Sequence, residues 1–341
     1  MLEIKENVNL SPHTTFGIGG PAEYFAVVES EEELADLAGE ARKHHRQIIV
    51  LGGGSNVLID DAGIQGLVIK NEIKGISNLV SGEEVLVTAG AGENWDDFVA
   101  LTVKEGWWGL ENLSSIPGSV GATPIQNVGA YGVEVASLIK SVRVFDMGSG
   151  EFREFTNEEC NFGYRDSFFK TEAGRLMIVT KVTYRLSLVR SPKLHYKDLV
   201  THFSDVVDTN NITQTQIREA VIKIRAGKFP DWKQIGTAGS FFKNPIISEE
   251  HYEALVAEYP GLPGYREGEG RIKVSLGWIL DNVCDLKGKR EGNIGLYEKQ
   301  ALVLVNFGCA TALEIKSFSA KIRDEVFKKT KIEIEMEVSA L

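Results

Sequence analysis

Three glycine-rich turns are places where backbone, more than side chains, could do chemistry. Gly52-Gly53-Gly54-Ser55-Asn56 follows a buried apolar run and Gly90-Ala91-Gly92-Glu93-Asn94 follows another. The third, Ile116-Pro117-Gly118-Ser119-Val120-Gly121-Ala122-Thr123-Pro124, reads as a long loop with few side chains. Residues free to adopt φ > 0 can turn consecutive N–H groups toward one anion, the arrangement that cradles a phosphate. One such turn is explained by tight turning alone. Three within the first 130 residues, bracketed by Asn56, Gln126 and Asn127 as polar readers, point to an extended dinucleotide ligand.

Other fingerprints are missing, and each absence narrows the chemistry. The first βαβ-like unit carries no complete G-x-G-x-x-G, and the chain has no G-x-x-x-x-G-K-[ST], H-E-x-x-H or G-x-S-x-G. His13, His44, His45, His195, His202 and His251 form no pair at metal-ligand spacing, so no metal is expected. Cys160, Cys284 and Cys309 are odd in number and far apart, which indicates reduced thiols and a cytoplasmic protein.

The elements that must position these turns can be read from periodicity. Ala22 to Val28 reads as a strand, Ser30 with Glu33 as a capping box, and Leu34, Leu37, Ala38 and Ala41 as one helical face running to His45. Ile48-Ile49-Val50-Leu51 then runs straight into the first glycine turn. From Gly66 onward, β-branched strands dominate (Leu67–Ile69, Glu84–Ala89, Val142–Phe145, Leu176–Tyr184), interrupted by one helix near Trp95 to Glu105. Helical spacing returns with Ile217, Val221 and Ile224, then Tyr252 to Tyr259, then Trp278 to Leu286. Thr311 with Glu314 caps a last helix whose apolar face is Ile315, Phe318, Ile322 and Val326. The end alternates Ile332, Ile334, Met336 and Val338 against Glu333, Glu335 and Glu337, the pattern of a half-buried strand.

At 341 residues, 43% hydrophobic and 25% charged, the chain can bury a sizeable core over more than one domain. Its formal charge of −11 repels polyphosphate backbones and anionic membranes, so neither nucleic acid nor membrane is an expected partner. No segment approaches the ~20 apolar residues of a spanning helix. Glycine, 35 residues, is in excess over ordinary usage of about 7%.

The ordered motifs resemble the UDP-N-acetylenolpyruvoylglucosamine reductase family. They run from Thr14-Thr15-Phe16-Gly17-Ile18-Gly19-Gly20 and Leu51-Gly52-Gly53-Gly54-Ser55-Asn56 to Gly109-Leu110-Glu111-Asn112-Leu113 and Pro124-Ile125-Gln126-Asn127-Val128-Gly129-Ala130-Tyr131-Gly132. Phe162-Gly163-Tyr164-Arg165-Asp166-Ser167, Ala238-Gly239-Ser240-Phe241-Phe242-Lys243-Asn244-Pro245 and Gln300-Ala301-Leu302-Val303-Leu304 follow in the same order. The resemblance implies an α+β protein: a two-lobed FAD-binding fold of the vanillyl-alcohol-oxidase/PCMH type plus a C-terminal α+β substrate-binding domain. The expected division is 1–70 and 71–225 for the two lobes (PCMH-type region about 17–188), 226–330 for the substrate domain and 331–341 for a final strand.

The implied reaction is that of a UDP-N-acetylmuramate dehydrogenase of peptidoglycan precursor synthesis. NADPH reduces non-covalent FAD and leaves; hydride then passes to the enolpyruvyl C3 of UDP-N-acetylglucosamine enolpyruvate, and a proton reaches C2. Hydride addition to an unsaturated carboxylate builds an enolate, so a cation and an acid are required. Arg165 matches the family's cation, Ser240 its proton donor and Glu337 its catalytic glutamate, with Glu335 as the alternative register. FAD contacts are implied for Gly52, Gly53, Gly54, Ser55, Asn56, Gly90, Gly92, Pro117, Gly118, Ser119, Gly121, Ala122, Pro124, Gln126, Asn127, Gly129, Ala130 and Tyr131. Substrate contacts are implied for Tyr164, Tyr196, Lys228, Asn244 and Gln300, Tyr196 belonging to the branch that clamps the diphosphate with an extra loop. Local basicity must then overcome the global sign, and Lys193, Lys197, Arg225, Lys228, Lys233 and Lys243 supply it beside Phe229 and Trp232.

A monomer is expected. Two other classes use the same loops: a sibling flavin oxidase of sugars or alcohols, distinguished by oxygen consumption, and a non-catalytic nucleotide-sugar binder, which needs neither Ser240 nor Arg165 chemistry.

Overall fold

Local signals set most elements. Ser30 Oγ accepts from the Glu33 N–H at 3.1 Å and opens the helix Glu31–Lys43, whose Leu34, Leu37, Ala38 and Ala41 are buried. Asn94 caps Trp95–Lys104, and Thr311 with Glu314 closes a full capping box on Ala312–Thr330, burying Ile315, Phe318, Ile322 and Val326. The computed structural model describes residues 3–341, the side chain of Asn210 excepted. Among the described residues no helix is long and apolar enough to cross a membrane.

The described chain divides into two units, each assembled from three segments. The first comprises the chain up to Val8, Ala22–Gly53 and Gln65–Arg225; the second comprises Asn9–Pro21, Gly54–Ile64 and Ala226–Leu341.

The first unit is built on two sheets. A four-stranded sheet has the order Lys5–Asn9, Pro21–Val28, Ile64–Asn71, Ile48–Leu51, with the last two parallel. The strands either side of helix 31–43 are therefore not neighbours, as a simple βαβ unit would have them; Ile64–Asn71 is inserted between. A five-stranded sheet has the order Glu151–Thr156, Ile139–Asp146, Met177–Ser187, Glu84–Gly90, Ile76–Ser81. The pairings within it are antiparallel. Its edge strand Ile76–Ser81 is exposed throughout and shows no burial alternation, which is why periodicity misses it. Trp95, Phe98 and Tyr184 anchor this sheet's core, while Leu199, Ile217, Ala220 and Val221 pack with Trp108 and Tyr131 in a satellite cluster.

The second unit centres on the antiparallel strands Gly236–Ser240, Gln300–Asn306, Ile294–Tyr297 and Arg290–Glu291, packed with helix 312–330. Residues 9–21 and 54–64, expected in the first lobe, belong here because Phe16, Ile18 and Leu58 enter its core and Val57–Leu58 pairs in parallel with Ser339–Ala340. The expected final strand over 331–341 is corrected. Ile332, Ile334 and Val338 are buried as the alternation requires, but regular pairing is confined to Ser339–Ala340 and a single bridge from Met336 to Phe242.

Candidate active site

The glycine loops of the first unit are joined backbone to backbone. A Cβ on Gly52 would lie 2.4 Å from Ser119 Oγ, and one on Gly53 would lie 2.6 Å from the Gly118 Cα. A Cβ on Gly121 would lie 2.6 Å from that of Ala91, and the Val120 and Gly121 N–H groups bond the Glu93 and Ala91 carbonyls at 2.9 Å. Only Gly54 (φ 63) and Gly118 (φ 127) use the left-handed freedom expected of these turns. For Gly90 and Gly92 the expectation is revised: each is glycine because backbone 72–74 passes within 2.4–2.5 Å of where a Cβ would sit, so close protein packing demands them.

Where loops 52–53 and 118–119 meet, the chain presents a surface of glycine backbone and the Ser119 hydroxyl. Among the described residues no protein acceptor receives the Gly53 N–H. An anionic ligand such as a dinucleotide pyrophosphate suits that surface, and FAD fits the residues present. Lys70, absent from the sequence reading, donates to the Gly52 carbonyl, and Lys74 donates to that of Gly92. Burial pulls the Lys70 ammonium below the ordinary lysine pKa, with Glu72 opposing.

Downstream, non-glycine residues take left-handed backbone where the family motifs lie: Ser115 (φ 60), Asn127 (φ 43), Tyr131 (φ 49) and Arg165 (φ 52). Such residues cost about 1 kcal/mol or more and persist where neighbours over-determine them. Tyr131 and Gly132 (φ 83) form the tight connection between Gly129–Ala130 and Val133–Glu134. Tyr131 is buried against Tyr196, ring centroids 5.3 Å apart. Burial pushes its phenol up to about 12, the nearby Arg225 working the other way.

Arg165 stands third in the turn Gly163-Tyr164-Arg165-Asp166, closed by reciprocal hydrogen bonds of 2.9 and 3.2 Å between Gly163 and Asp166. Its guanidinium donates to the Gly129 carbonyl at 2.8 Å and lies 5.6 Å from the Tyr164 ring centre. Asn127, expected as a polar reader of the cofactor, has its side chain committed to the protein. Its amide donates to Glu134 and the Gly163 carbonyl at 2.9 Å each, and its oxygen accepts from Ala136 at 3.1 Å. Asn127 thus ties the Arg165 turn to the 127–136 loop.

A second device holds the third loop. Arg218 meets Asp96 with two bonds of 2.6 and 3.0 Å, Asp96 accepts from the Ser115 N–H at 2.5 Å, and Arg225 donates to the Ser115 carbonyl at 3.0 Å. Burial works to raise the Asp96 pKa, but Arg218, the Ser115 N–H and Arg225 together hold it below the ordinary aspartate value. Both backbone groups of left-handed Ser115 are thereby fixed just before Pro117 and Gly118. Asp96 and Arg218 lie far apart in sequence, and only their convergence marks them, while Arg225, expected among the basic residues near the substrate, is engaged with the Ser115 carbonyl.

In the second unit, Ser240 ends the strand Gly236–Ser240 opposite Val303, after an irregularity in which Gly239 takes φ 77. No atom lies within 4 Å of a Cβ at Gly239, so conformation and not space requires glycine there. Phe241 and Phe242 are buried, rings 5.1 Å apart, and fix the chain leaving Ser240. The Glu337 N–H donates to the Phe241 carbonyl at 2.8 Å, bringing Glu337 beside the Ser240 segment. Glu335 instead is exposed and paired with Lys243 at 3.1 Å. Asn56, expected at the cofactor, uses its amide on the Glu337 carbonyl at 3.1 Å.

Among the expected substrate residues, Asn244 accepts from the Leu276 N–H at 3.0 Å and Gln300 from the Leu302 N–H at 3.3 Å. Lys228 is half-buried in the second unit, and Tyr164 and Tyr196 lie in the first.

Residues 22–156, the stretch carrying the three glycine loops and the Tyr131 turn, match the family model described as an FAD binding domain. The chain is an FAD-dependent oxidoreductase with a PCMH-type FAD-binding domain and an added C-terminal α+β domain. That domain, residues 231–341, matches the model of the UDP-N-acetylenolpyruvoylglucosamine reductase C-terminal domain.

Enzymes of that name from Pseudomonas putida and Chromobacterium violaceum are 40% identical over 334 residues and 41% over 339. These alignments cover 98% of this chain, and 97% and 98% of the relatives. The crystal structure of UDP-N-acetylenolpyruvylglucosamine reductase from Thermus caldophilus aligns with a TM-score of 0.70 at 27% identity, covering 100% of this chain and 99% of that one. The chain belongs to the UDP-N-acetylenolpyruvoylglucosamine reductase family.

Proposed function

We propose that this chain reduces UDP-N-acetylglucosamine enolpyruvate to UDP-N-acetylmuramate at the expense of NADPH, with Arg165, Ser240 and Glu337 as its catalytic residues. Bound FAD supplies the hydride, which it takes from NADPH. Gly52, Gly53, Gly118 and Ser119 would hold the pyrophosphate of FAD through their backbone.

The chain's own residues handle charge and proton. Charge grows on the substrate carboxylate as C3 is reduced, and the planar guanidinium of Arg165, anchored on the Gly129 carbonyl, is suited to receive it. Ser240 Oγ–H delivers the proton to C2; a serine is acid enough only for a strongly basic carbon shielded from water. Glu337 acts with Arg165 on the developing enol. Tyr164, Tyr196, Lys228, Asn244 and Gln300 bind the nucleotide sugar.

The observation that carries this assignment is the 2.8 Å bond from the Glu337 N–H to the Phe241 carbonyl, which ties the carboxylate's backbone to the residue after Ser240 while Glu335 turns to Lys243. The reading has the chain acting as a cytoplasmic monomer without nucleic-acid or membrane partners, supported by its charge of −11 and its dispersed free cysteines. Purified protein should be yellow, bleach with NADPH and regain colour with the enolpyruvyl sugar. A protein that takes up no flavin, or that regains colour only with oxygen, refutes the proposal.

A further inference from the structure

Lys70 stands at the end of the strand Ile64–Asn71, in parallel register with Leu51, the residue before the first glycine turn. Its side chain is only 18% exposed, and its ammonium donates to the Gly52 carbonyl. In a trans peptide the carbonyl of one residue and the N–H of the next point in opposite directions. Holding the Gly52 carbonyl toward Lys70 therefore turns the Gly53 N–H the other way, and that N–H has no protein acceptor among the described residues.

The neighbouring cation provides a contrast. Lys74 holds the Gly92 carbonyl in the same manner, but the N–H of that peptide, on Glu93, is consumed by the Gly90 carbonyl at 3.1 Å. Glu72 lies between the two ammoniums, 3.7 Å from Lys70 and 3.1 Å from Lys74. Only at Lys70 does the tethered peptide retain a donor for a ligand.

We infer that Lys70 is a positioning residue for the phosphates of the flavin cofactor: it orients the Gly52–Gly53 peptide so that the Gly53 N–H meets the anion. This rests on the reading that loops 52–53 and 118–119 hold the pyrophosphate. The ammonium, one peptide behind the donor, also supplies positive charge that a protein of net −11 must provide locally.

The test compares flavin-free wild type with Lys70→Met, Lys70→Arg and Lys74→Met, measuring dissociation constants for FAD and for riboflavin, which has no phosphate, by fluorescence titration. A charge-assisted orienting bond predicts that Lys70→Met weakens FAD binding about ten- to thirtyfold while riboflavin changes by less than about twofold. Lys70→Arg and Lys74→Met should stay within about threefold of wild type for FAD.

Equal FAD affinity in Lys70→Met and wild type overturns the inference, as does an equal loss for riboflavin or an equal loss in Lys74→Met. Should the methionine variant not fold, Lys70→Gln carries the same comparison, with circular dichroism of the flavin-free protein as the check. A wild type that binds riboflavin and FAD equally refutes the pyrophosphate reading itself, a result distinct from failure of Lys70 alone.

Discussion

Gly53→Ala tests whether the first and third loops form one surface. The Gly53 backbone is outside the left-handed region, so alanine adds no conformational strain. What it adds is a methyl group 2.6 Å from the Gly118 Cα, 2.9 Å from the Gly118 carbonyl carbon and 3.2 Å from the Ser119 nitrogen. Carbon atoms settle about 3.5–4.0 Å apart, so the loops must separate by about 1 Å. No flexible side chain can yield, because each of these three neighbours is backbone. Overpacking of this kind costs about 1–3 kcal/mol in folding. A donor shifted by that distance forfeits most of a charge-assisted hydrogen bond, so FAD affinity should fall about 10- to 100-fold.

Flavin fluorescence titration of the apoprotein measures the affinity, and denaturant unfolding measures the stability. Gly39→Ala is the control: it lies inside helix 31–43 with no atom within 4 Å of the new methyl group. It should stabilise by about 0.5–1 kcal/mol and leave FAD binding unchanged. Gly53→Ala protein that binds FAD within about threefold of wild type refutes the joined-loop surface.

Ser240→Ala should leave flavin bleaching by NADPH near the wild-type rate while slowing colour return with the enolpyruvyl sugar by about 10²–10⁴-fold; equal slowing of both steps in stopped flow means a structural role. Glu337→Gln should slow the same second step, whereas Glu335→Gln should not, since Glu335 is 76% exposed and paired with Lys243; the reverse ranking defeats the assignment. Asp96, its folded pKa below 3.8, contributes stability that is complete above that value and lost as pH falls through the folded pKa. Asp96→Asn should therefore cost about 1–2 kcal/mol at pH 7, discounted because the Asp96 side chain is 33% exposed, and the difference from wild type should vanish in acid. Urea unfolding at both pH values reads it, and a cost independent of pH removes the Asp96–Arg218 explanation.

Two capping residues and the buried faces were legible because they are local: Ser30 and Thr311 each satisfy a backbone donor within three residues, and helical spacing names the buried faces, whereas the Asn94 cap reads in sequence only as the end of a glycine turn. The exposed edge strand Ile76–Ser81 has no such signature. Among candidate site residues, the order of motifs singled out Arg165, Ser240 and Glu337 as proposed catalytic groups, but it could not separate ligand-facing groups from groups spent on the protein. Asn127 and Asn56 read alike in sequence, and both side chains hold backbone, at Gly163 and at Glu337.

The sequence by itself determined the long helices, the glycine addresses and the family, because these depend on residue type and short spacing; the expected helix over 278–286 is instead a short turn and a π-helix, Leu276–Trp278 and Ile279–Val283. Only the tertiary structure decided which glycines yield space to other backbone, why Lys70 and Asp96 matter, and that segments 9–21 and 54–64 join the second unit. The physical reason is range. A Cβ clash between Gly53 and Gly118, a lysine on the Gly52 carbonyl and a carboxylate on Ser115 are contacts between residues 18 to 65 positions apart, fixed by sheet register and not by any local preference.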